Sequence, residues 1–240
     1  LSLFTYFVLA FFAVASYNHN LVMPTYQVSK SVLGSFNQGN ISRFGQTAGT
    51  QCACNALFSI YWSHVRSVNI WKSHDMDKIL IEGDKLYKLL DTNMYLNVDE
   101  LPKTILFNNI SSHVTLLNLE DCEANLVPNY PFLQIPFSTR QSNENAALIF
   151  IAGFTISVFQ YPDHTYFLFD SHSRDERGLF VPGGKSCLLK FSNIYELEQY
   201  IRVVYLEFRS KACVYFQVQF VQIDVPSELV PQLVVEYRNH

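Results

Sequence analysis

The stretch Gly49-Thr50-Gln51-Cys52-Ala53-Cys54-Asn55 leads directly into the apolar run Ala56-Leu57-Phe58, and the rest of the chain is organised around it. Apolar residues then recur at helical spacing, so we predict a helix that begins at Cys52 and ends near Val65. The first N–H groups of a helix have no intrahelical partner, and the helix dipole places partial positive charge there. Both effects lower the pKa of a thiol at that position, and the thiolate is the nucleophilic form. We therefore predict that Cys52 is a catalytic nucleophile.

Cys54 competes with Cys52 for this role. It lies two residues further along the helix and points about 200° around the axis, so the two thiols cannot face the same site. We predict that Cys54 is a packing residue. A structural role is also the alternative for Cys52 itself, because cysteine is common in protein cores.

The composition limits what the 240-residue chain can be. Hydrophobic residues make up 49% and charged residues 16%, which predicts a substantial core rather than disorder. A net charge of −4 without a basic cluster argues against nucleic acid as the main partner. The cysteines are scattered and have no CxxC spacing, so we predict reduced thiols, no zinc site and no cofactor. The five are Cys52, Cys54, Cys122, Cys187 and Cys213.

The N-terminal residues 1–16 differ from the rest. Leu1 to Ala15 is almost continuously apolar and ends in Ala13-Val14-Ala15, which is similar to a signal-peptidase site. The segment has no basic start and is shorter than the ~20 residues of a membrane-spanning helix. It is a targeting segment, a buried helix or strand, or sequence outside the domain. We predict that residues 17–240 form a single domain, and we expect no membrane partner for it.

The order of the remaining patterns predicts an α+β fold. A second helix should begin at Ser73 or Asp75 and run through Leu90, although Gly83 leaves two short helices as an alternative. A later helix is predicted over 194–206, capped by Ser192. The predicted strands are 26–32, 113–119, 148–160, 165–170, 186–191 and 212–225. We therefore predict a helical N-terminal part packed on an antiparallel sheet.

A cysteine nucleophile also needs a base and a group that orients the base. His172 follows Asp170 by two residues where a predicted strand ends. Residues i and i+2 of a strand face the same side, so Asp170 can set the tautomer of His172. His164 lies in the turn at the other end of that strand and is the weaker candidate. The alternative is that Asp170 and His172 belong to a solvated turn.

The developing oxyanion needs hydrogen-bond donors. The backbone N–H of Cys52 is one, because it lies at the predicted helix start. The side-chain amide of Gln38 is a second candidate, and the glycine that follows it allows close approach of a substrate.

Two groups of residues carry a family resemblance. The first is Asn37-Gln38-Gly39, Phe44-Gly45, Ala48-Gly49-Thr50-Gln51-Cys52 and Asn55, and the second is Phe169-Asp170-Ser171-His172-Ser173-Arg174 with Gly178. Together they resemble the motifs of herpesvirus large tegument protein deubiquitinases, over about residues 34–210. The resemblance implies a papain-like cysteine protease that cleaves after the C-terminal glycine of ubiquitin. By this resemblance Cys52 is the nucleophile, His172 the base, Asp170 its orienter and Gln38 the oxyanion donor.

The resemblance also implies partners and a location. The partner would be ubiquitin or polyubiquitin chains, with NEDD8 left open, in the cytoplasm or nucleus; secretion is the alternative if residues 1–16 are a signal peptide. An extended Leu-Arg-Gly-Gly tail would enter a narrow channel, and acidic residues would meet its arginine. Two other functions remain: a cysteine protease or amidase with a different substrate, and a non-catalytic ubiquitin-binding module. The candidate acidic residues are Glu120, Asp121, Glu123 and Glu144.

Overall fold

The structure is a computed structural model that describes residues 26–92, 94–125, 133, 137, 145–206 and 213–226, without the side chains of residues 118–125, 206 and 213–215. The apolar segment 1–16 lies outside this range. The helices of the described residues are α1 (Ile41–Phe44), α2 (Cys52–Val65), α3 (Ser73–Lys88) and α4 (Ile194–Ile201). Short 3-10 turns cover Gly45–Thr47, Val68–Ile70 and Val98–Glu100. No helix in the described part of the chain is long and apolar enough to cross a membrane.

The strands form one antiparallel sheet, which confirms the predicted α+β class. The strands of the described residues are β1 (Lys30–Leu33), β2 (Thr104–Phe107), β3 (Ile110–Asn125), β4 (Ala146–Ile151), β5 (Phe154–Gln160), β6 (Tyr166–Arg174), β7 (Lys185–Phe191) and β8 (Cys213–Asp224). These eight strands lie in the sheet in the order β1-β7-β6-β5-β4-β8-β3-β2.

Both faces of the central strands are buried. On one face, Leu148 and Phe169 pack in a core with residues of α2 and α3. On the other face, Ile149 and Leu168 pack in a second core with residues of α4. A strand that is covered on both sides reads as a continuous apolar run, which is what the sequence shows from Ala146 to Ile151.

The predicted single strand over 148–160 is wrong. The chain turns at Ala152-Gly153, where both residues have positive φ (59° and 85°), and Ile151 pairs with Phe154 across the turn. Two consecutive residues with positive φ are typical of a two-residue hairpin turn. An alanine rarely adopts this conformation, so the composition of the turn did not reveal it.

The region around Gly83 forms one helix, α3, and not two. A Cβ on Gly83 would lie 2.8 Å from the Cα of Asn55, so glycine allows α3 to approach α2, the helix that begins at Cys52, closely. The N-terminal turn of α3 is closed by Asp75, whose carboxylate accepts from the backbone N–H of Lys72 at 2.7 Å.

The last helix also differs from the prediction. Its cap is Asn193 and not Ser192, because the Asn193 side chain accepts from the N–H of Glu196 at 3.0 Å. The α-helix ends at Ile201 and continues as a π-helical turn over Arg202–Leu206. Such turns are rare and are often found at functional sites.

Candidate active site

The structure places Cys52 at the start of α2. Cys52 is the first residue of the helix, and Gly49 (φ 90°) turns the chain just before it. The N–H of Gly49 donates to the carbonyl of Gln38 at 3.0 Å, so the loop before the helix is tied to the Gln38 segment. Only 3% of the Cys52 surface is exposed, which leaves narrow access to the thiol.

The structure brings His172 and Asp170 together, as the spacing predicted. His172 Nδ1 lies 2.6 Å from Asp170 Oδ1, and the backbone N–H of His172 donates to the same oxygen at 2.9 Å. A carboxylate can only accept, so Nδ1 carries the proton and Nε2 is left for another partner. Burial disfavours the imidazolium, but Asp170 and the Cys52 thiolate outweigh burial and raise the pKa of His172 to about 9. The imidazole is therefore charged at neutral pH.

Cys52 is electrostatically coupled to this pair. Burial alone would raise the pKa of its thiol, but a hydrogen bond and the positive charge of His172 lower it below its ordinary value. The N–H and hydroxyl of Thr155 on β5 also stabilise the thiolate by hydrogen bonds. These contacts favour a thiolate–imidazolium pair, which is the reactive form of a cysteine nucleophile.

The end of the β5–β6 pairing makes this arrangement possible. Residues Phe167 and Phe169 of β6 pack with the core of α2, so Asp170 points to the opposite face. The β5–β6 ladder stops at Ser157↔Phe169, and the register of β6 with β7 shifts between Asp170 and Arg174. Beyond Phe169, β6 is therefore unpaired on its β5 side, while Arg174 still pairs with Lys185 of β7. The break in the β5–β6 ladder leaves room for the His172 imidazole to interact with Cys52 at the start of α2. The prediction that the strand ends at residue 170 is wrong, because β6 continues to Arg174.

Gln38 is buried beside the nucleophile loop, and its amide orientation is defined. Gln38 Oε1 accepts from Ser171 Oγ at 2.8 Å and from Asn55 Nδ2 at 3.3 Å. In this assignment of the two amides both partners donate to the oxygen, and Nε2 faces the other way. Nε2 makes one long contact, 3.4 Å to the carbonyl of Gly49. The amide therefore retains a donor that a substrate oxyanion can use.

Cys54 and His164 lie in different environments. Cys54 is completely buried, and burial together with the negative charge of Cys52 raises the pKa of its thiol well above the ordinary range. His164 lies in the turn between β5 and β6, where its Nδ1 is 3.4 Å from Gln160 Nε2. Neither residue contributes to the Cys52 cluster. Glu120, Asp121 and Glu123 lie on β3, but their side chains, like the whole of Glu144, fall outside the described part of the chain.

Several residues of the site were not identified from the sequence. Thr155 hydrogen-bonds to the thiolate, and the ring of Phe154 meets the His172 ring edge-on at 4.8 Å. Arg174 and Tyr205 both bind Asp170. Arg174 belongs to the second motif and lies at every second position with Asp170 and His172. This spacing was the one sequence signal that it faces the same side of the strand. Tyr205 is 35 residues from Asp170, so no local pattern connects the two.

The cluster has the parts needed for acyl transfer: an activated thiolate, a charged imidazole, a buried carboxylate and hydrogen-bond donors near the thiol. Within the described residues, no group of His, Cys, Asp and Glu side chains could hold a metal ion.

Comparisons with known proteins show the fold and the family of this chain. The crystal structure of the ubiquitin-specific protease encoded by murine cytomegalovirus tegument protein M48, in complex with a ubiquitin-based suicide substrate, is similar with a TM-score of 0.66. The identity is 16%, and the alignment covers 87% of this chain and 95% of the other. No curated protein sequence gave a match. The family model of the herpesvirus tegument protein N-terminal conserved region matches residues 33–227, and the chain belongs to this family.

Proposed function

We propose that this protein is a cysteine-type deubiquitinase that hydrolyses the bond after the C-terminal glycine of ubiquitin. The observation that carries the proposal is the contact of Cys52, at a helix start, with a His172 imidazole that Asp170 holds at 2.6 Å. The substrate class is supported by family membership and by the fold shared with a viral ubiquitin-specific protease. Only 3% of Cys52 is exposed, and a slender tail that ends in glycines is the substrate that we propose for this thiol.

The reaction would proceed through a thioester. The Cys52 thiolate attacks the glycyl carbonyl carbon, and the oxyanion accepts hydrogen bonds from Gln38 Nε2 and the Cys52 backbone N–H. When the C–N bond breaks, the His172 imidazolium gives its proton to the leaving lysine amine. Neutral His172 then takes a proton from water, whose oxygen attacks the thioester. The collapse of this intermediate releases the Cys52 thiolate and the carboxylic acid of ubiquitin, which gives its proton to solvent.

The roles of the four residues follow from this scheme. Cys52 is the nucleophile, His172 the general acid and base, Asp170 its orienter and Gln38 the oxyanion donor. The partners would be ubiquitin or polyubiquitin chains, and NEDD8 is tested beside them. Membership of a tegument protein family favours action in the cytoplasm or nucleus of an infected cell.

A ubiquitin C-terminal propargylamide tests the proposal. We expect a covalent adduct at Cys52, no adduct with Cys52→Ala and an unchanged adduct with the matched control Cys54→Ala. Loss of labelling in the Cys54 variant alone would reassign the nucleophile. A parallel NEDD8 probe tests selectivity between the two modifiers.

Peptide cleavage and ubiquitin binding, measured beside the labelling, separate the competing functions. Cleavage of peptide substrates without reaction with ubiquitin would indicate a protease or amidase of another specificity. Tight ubiquitin binding without covalent capture would indicate a non-catalytic binding module.

A further inference from the structure

The Asp170 carboxylate makes more contacts than the proposed mechanism uses. Asp170 is completely buried, and its Oδ1 binds His172. Its Oδ2 accepts from Arg174 Nε at 2.6 Å and from the Tyr205 hydroxyl at 2.5 Å. Both additional partners are themselves buried, with 4% and 3% of their surfaces exposed. The second oxygen therefore lies in a dedicated polar site beneath the catalytic cluster.

Arg174 balances the charge of this site. A buried ion requires a partner of opposite charge, and the described contacts link Arg174, Asp170, His172 and Cys52 in a chain of alternating sign. With the thiolate and the imidazolium present, the four charges sum to zero. Without Arg174 the buried group would carry one net negative charge. Protonation of Cys52 or of Asp170 is the simplest way to remove this charge, and either event would disable the nucleophile.

Aromatic rings fix the guanidinium in place. Its centre lies 5.1 Å from the ring centroid of Tyr205 and 5.8 Å from that of Phe154. Phe154 also meets the rings of His172 and Tyr205 edge-on, at 4.8 Å and 5.5 Å. Cation–π and edge-to-face contacts of this kind constrain orientation as well as adding attraction.

Tyr205 reaches Asp170 from the π-helical turn that follows α4. Burial raises the pKa of its phenol well above the ordinary value, so Tyr205 stays protonated and donates to the carboxylate. Among the described residues, the other titratable groups that interact with Arg174 or Asp170 from neighbouring elements are Cys187 on β7, Tyr200 on α4 and Tyr26 before β1. Burial raises the pKa of all three, so they remain neutral and do not replace Arg174 as a countercharge.

We propose that Arg174 and Tyr205 are positioning residues for the catalytic cluster. Arg174 is the countercharge that keeps Asp170 ionised behind the imidazolium, and Tyr205 fixes the plane of the carboxylate. The inference rests on the proposed roles of Cys52, His172 and Asp170. The role of Tyr205 is measured on the proposed ubiquitin substrate, whereas the role of Arg174 is measured without it.

The test is the pH dependence of Cys52 alkylation by iodoacetamide, followed at that residue by mass spectrometry between pH 5 and 10. Arg174→Gln should move the midpoint upward by at least one pH unit, which is about a tenfold change in the ionisation constant of the thiol. Arg174→Lys keeps the charge, so its midpoint should lie close to that of the wild-type protein. The matched control is Arg66→Gln, which breaks an arginine–aspartate pair (Arg66 Nε to Asp75 Oδ1, 3.3 Å) beyond the far end of α2 and should leave the midpoint unchanged.

Tyr205→Phe removes only the hydroxyl and keeps the ring contacts. We expect about a tenfold fall in kcat on a fluorogenic ubiquitin substrate with unchanged KM, because the carboxylate loses its orientation while the substrate still binds. A wild-type kcat would overturn the role of Tyr205.

An Arg174→Gln protein that melts at a lower temperature but keeps the wild-type alkylation midpoint would show that Arg174 is only structural. If that variant does not fold, Arg174→Lys decides, since a midpoint more than one unit above wild type despite retained charge would contradict the countercharge role. Alkylation does not involve ubiquitin. A wild-type protein that fails to react with the ubiquitin probe would therefore refute the proposed substrate. The role of Arg174 would still be decided by the alkylation midpoints.

Discussion

The Gln38→Met substitution isolates the proposed oxyanion donor. Methionine is similar in length to glutamine, carries no charge and lacks the Nε2 donor, so the Cys52 thiolate should be unaffected. The substitution also removes the oxygen that accepts from Ser171 Oγ (2.8 Å) and Asn55 Nδ2 (3.3 Å). It therefore changes the stability of the fold as well as the chemistry, and the two effects are measured separately.

The magnitudes follow from these contacts. Loss of one oxyanion donor lowers kcat by about 10²–10³-fold, or about 2.7–4 kcal/mol of transition-state stabilisation. Each buried donor that loses its acceptor costs about 1–3 kcal/mol of folding free energy. We therefore expect a lower melting temperature, and kinetics measured well below it should still show the full loss of kcat.

Gln51→Met is the matched control. Gln51 is also completely buried, lies next to Cys52, and its Nε2 has no hydrogen-bond partner among the described residues. Its Oε1 accepts from the backbone N–H of Thr50 at 3.1 Å, so the oxygen faces the loop. If Gln38 is the donor, Gln51→Met keeps most of its kcat.

The assay compares turnover of a fluorogenic ubiquitin substrate with alkylation of Cys52 by iodoacetamide. Gln38→Met should lose turnover and keep the alkylation rate, because only the substrate reaction forms an oxyanion. The reasoning is refuted if Gln38→Met retains kcat within about threefold of wild type. Loss of turnover in Gln51→Met, with turnover retained in Gln38→Met, would show that Gln51 is the oxyanion donor.

Three further outcomes are expected. Turnover should fall as the pH rises through about 9, because His172 has its pKa raised to about 9 and loses the proton that the leaving amine needs; a pH–rate profile checks this. Asp170→Asn should lower the alkylation rate of Cys52 at pH 7 by about tenfold or more, since Asp170 is the first of the groups that raise the pKa of His172 and its loss disfavours the imidazolium that stabilises the thiolate; an unchanged rate would contradict the coupling. Gly83→Ala should destabilise the fold by about 1–3 kcal/mol in chemical denaturation, because its Cβ would overlap the backbone of Asn55. A gain of about 1 kcal/mol, as helix propensity alone predicts, would show that the two helices can separate without cost.

The parts of the site that the sequence predicted are those set by local geometry. The start of α2 at Cys52 follows from the periodicity of the residues after it, and the Asp170–His172 contact follows from the period of a strand. Each of these predictions depends on neighbours within a few residues. The fold class followed in the same way from the order of helical and strand patterns.

The features of the fold and the site that could not be predicted depend on contacts between residues distant in the sequence or on rare backbone conformations. The turn at Ala152-Gly153 uses an alanine with positive φ, which an apolar sequence does not signal. The contact of Tyr205 with Asp170 joins β6 to a turn beyond α4, and only the packing of the second core brings the two together. The hydrogen bonds from Thr155 to the thiolate depend on where β5 meets α2, which a single sequence does not specify.

One strand segment connects the base with the proposed oxyanion donor. Neighbouring residues of a strand point to opposite faces, and Asp170, Ser171 and His172 use this alternation. Asp170 and His172 bind each other, while Ser171 donates from Oγ to Gln38 Oε1 and accepts from the Gln38 backbone N–H at 2.9 Å. A slip of β6 by one residue would exchange the two faces and disrupt both groups at once. The register of β6 therefore positions the proposed base and the proposed oxyanion donor together, which explains how two motifs far apart in the sequence come together beside Cys52.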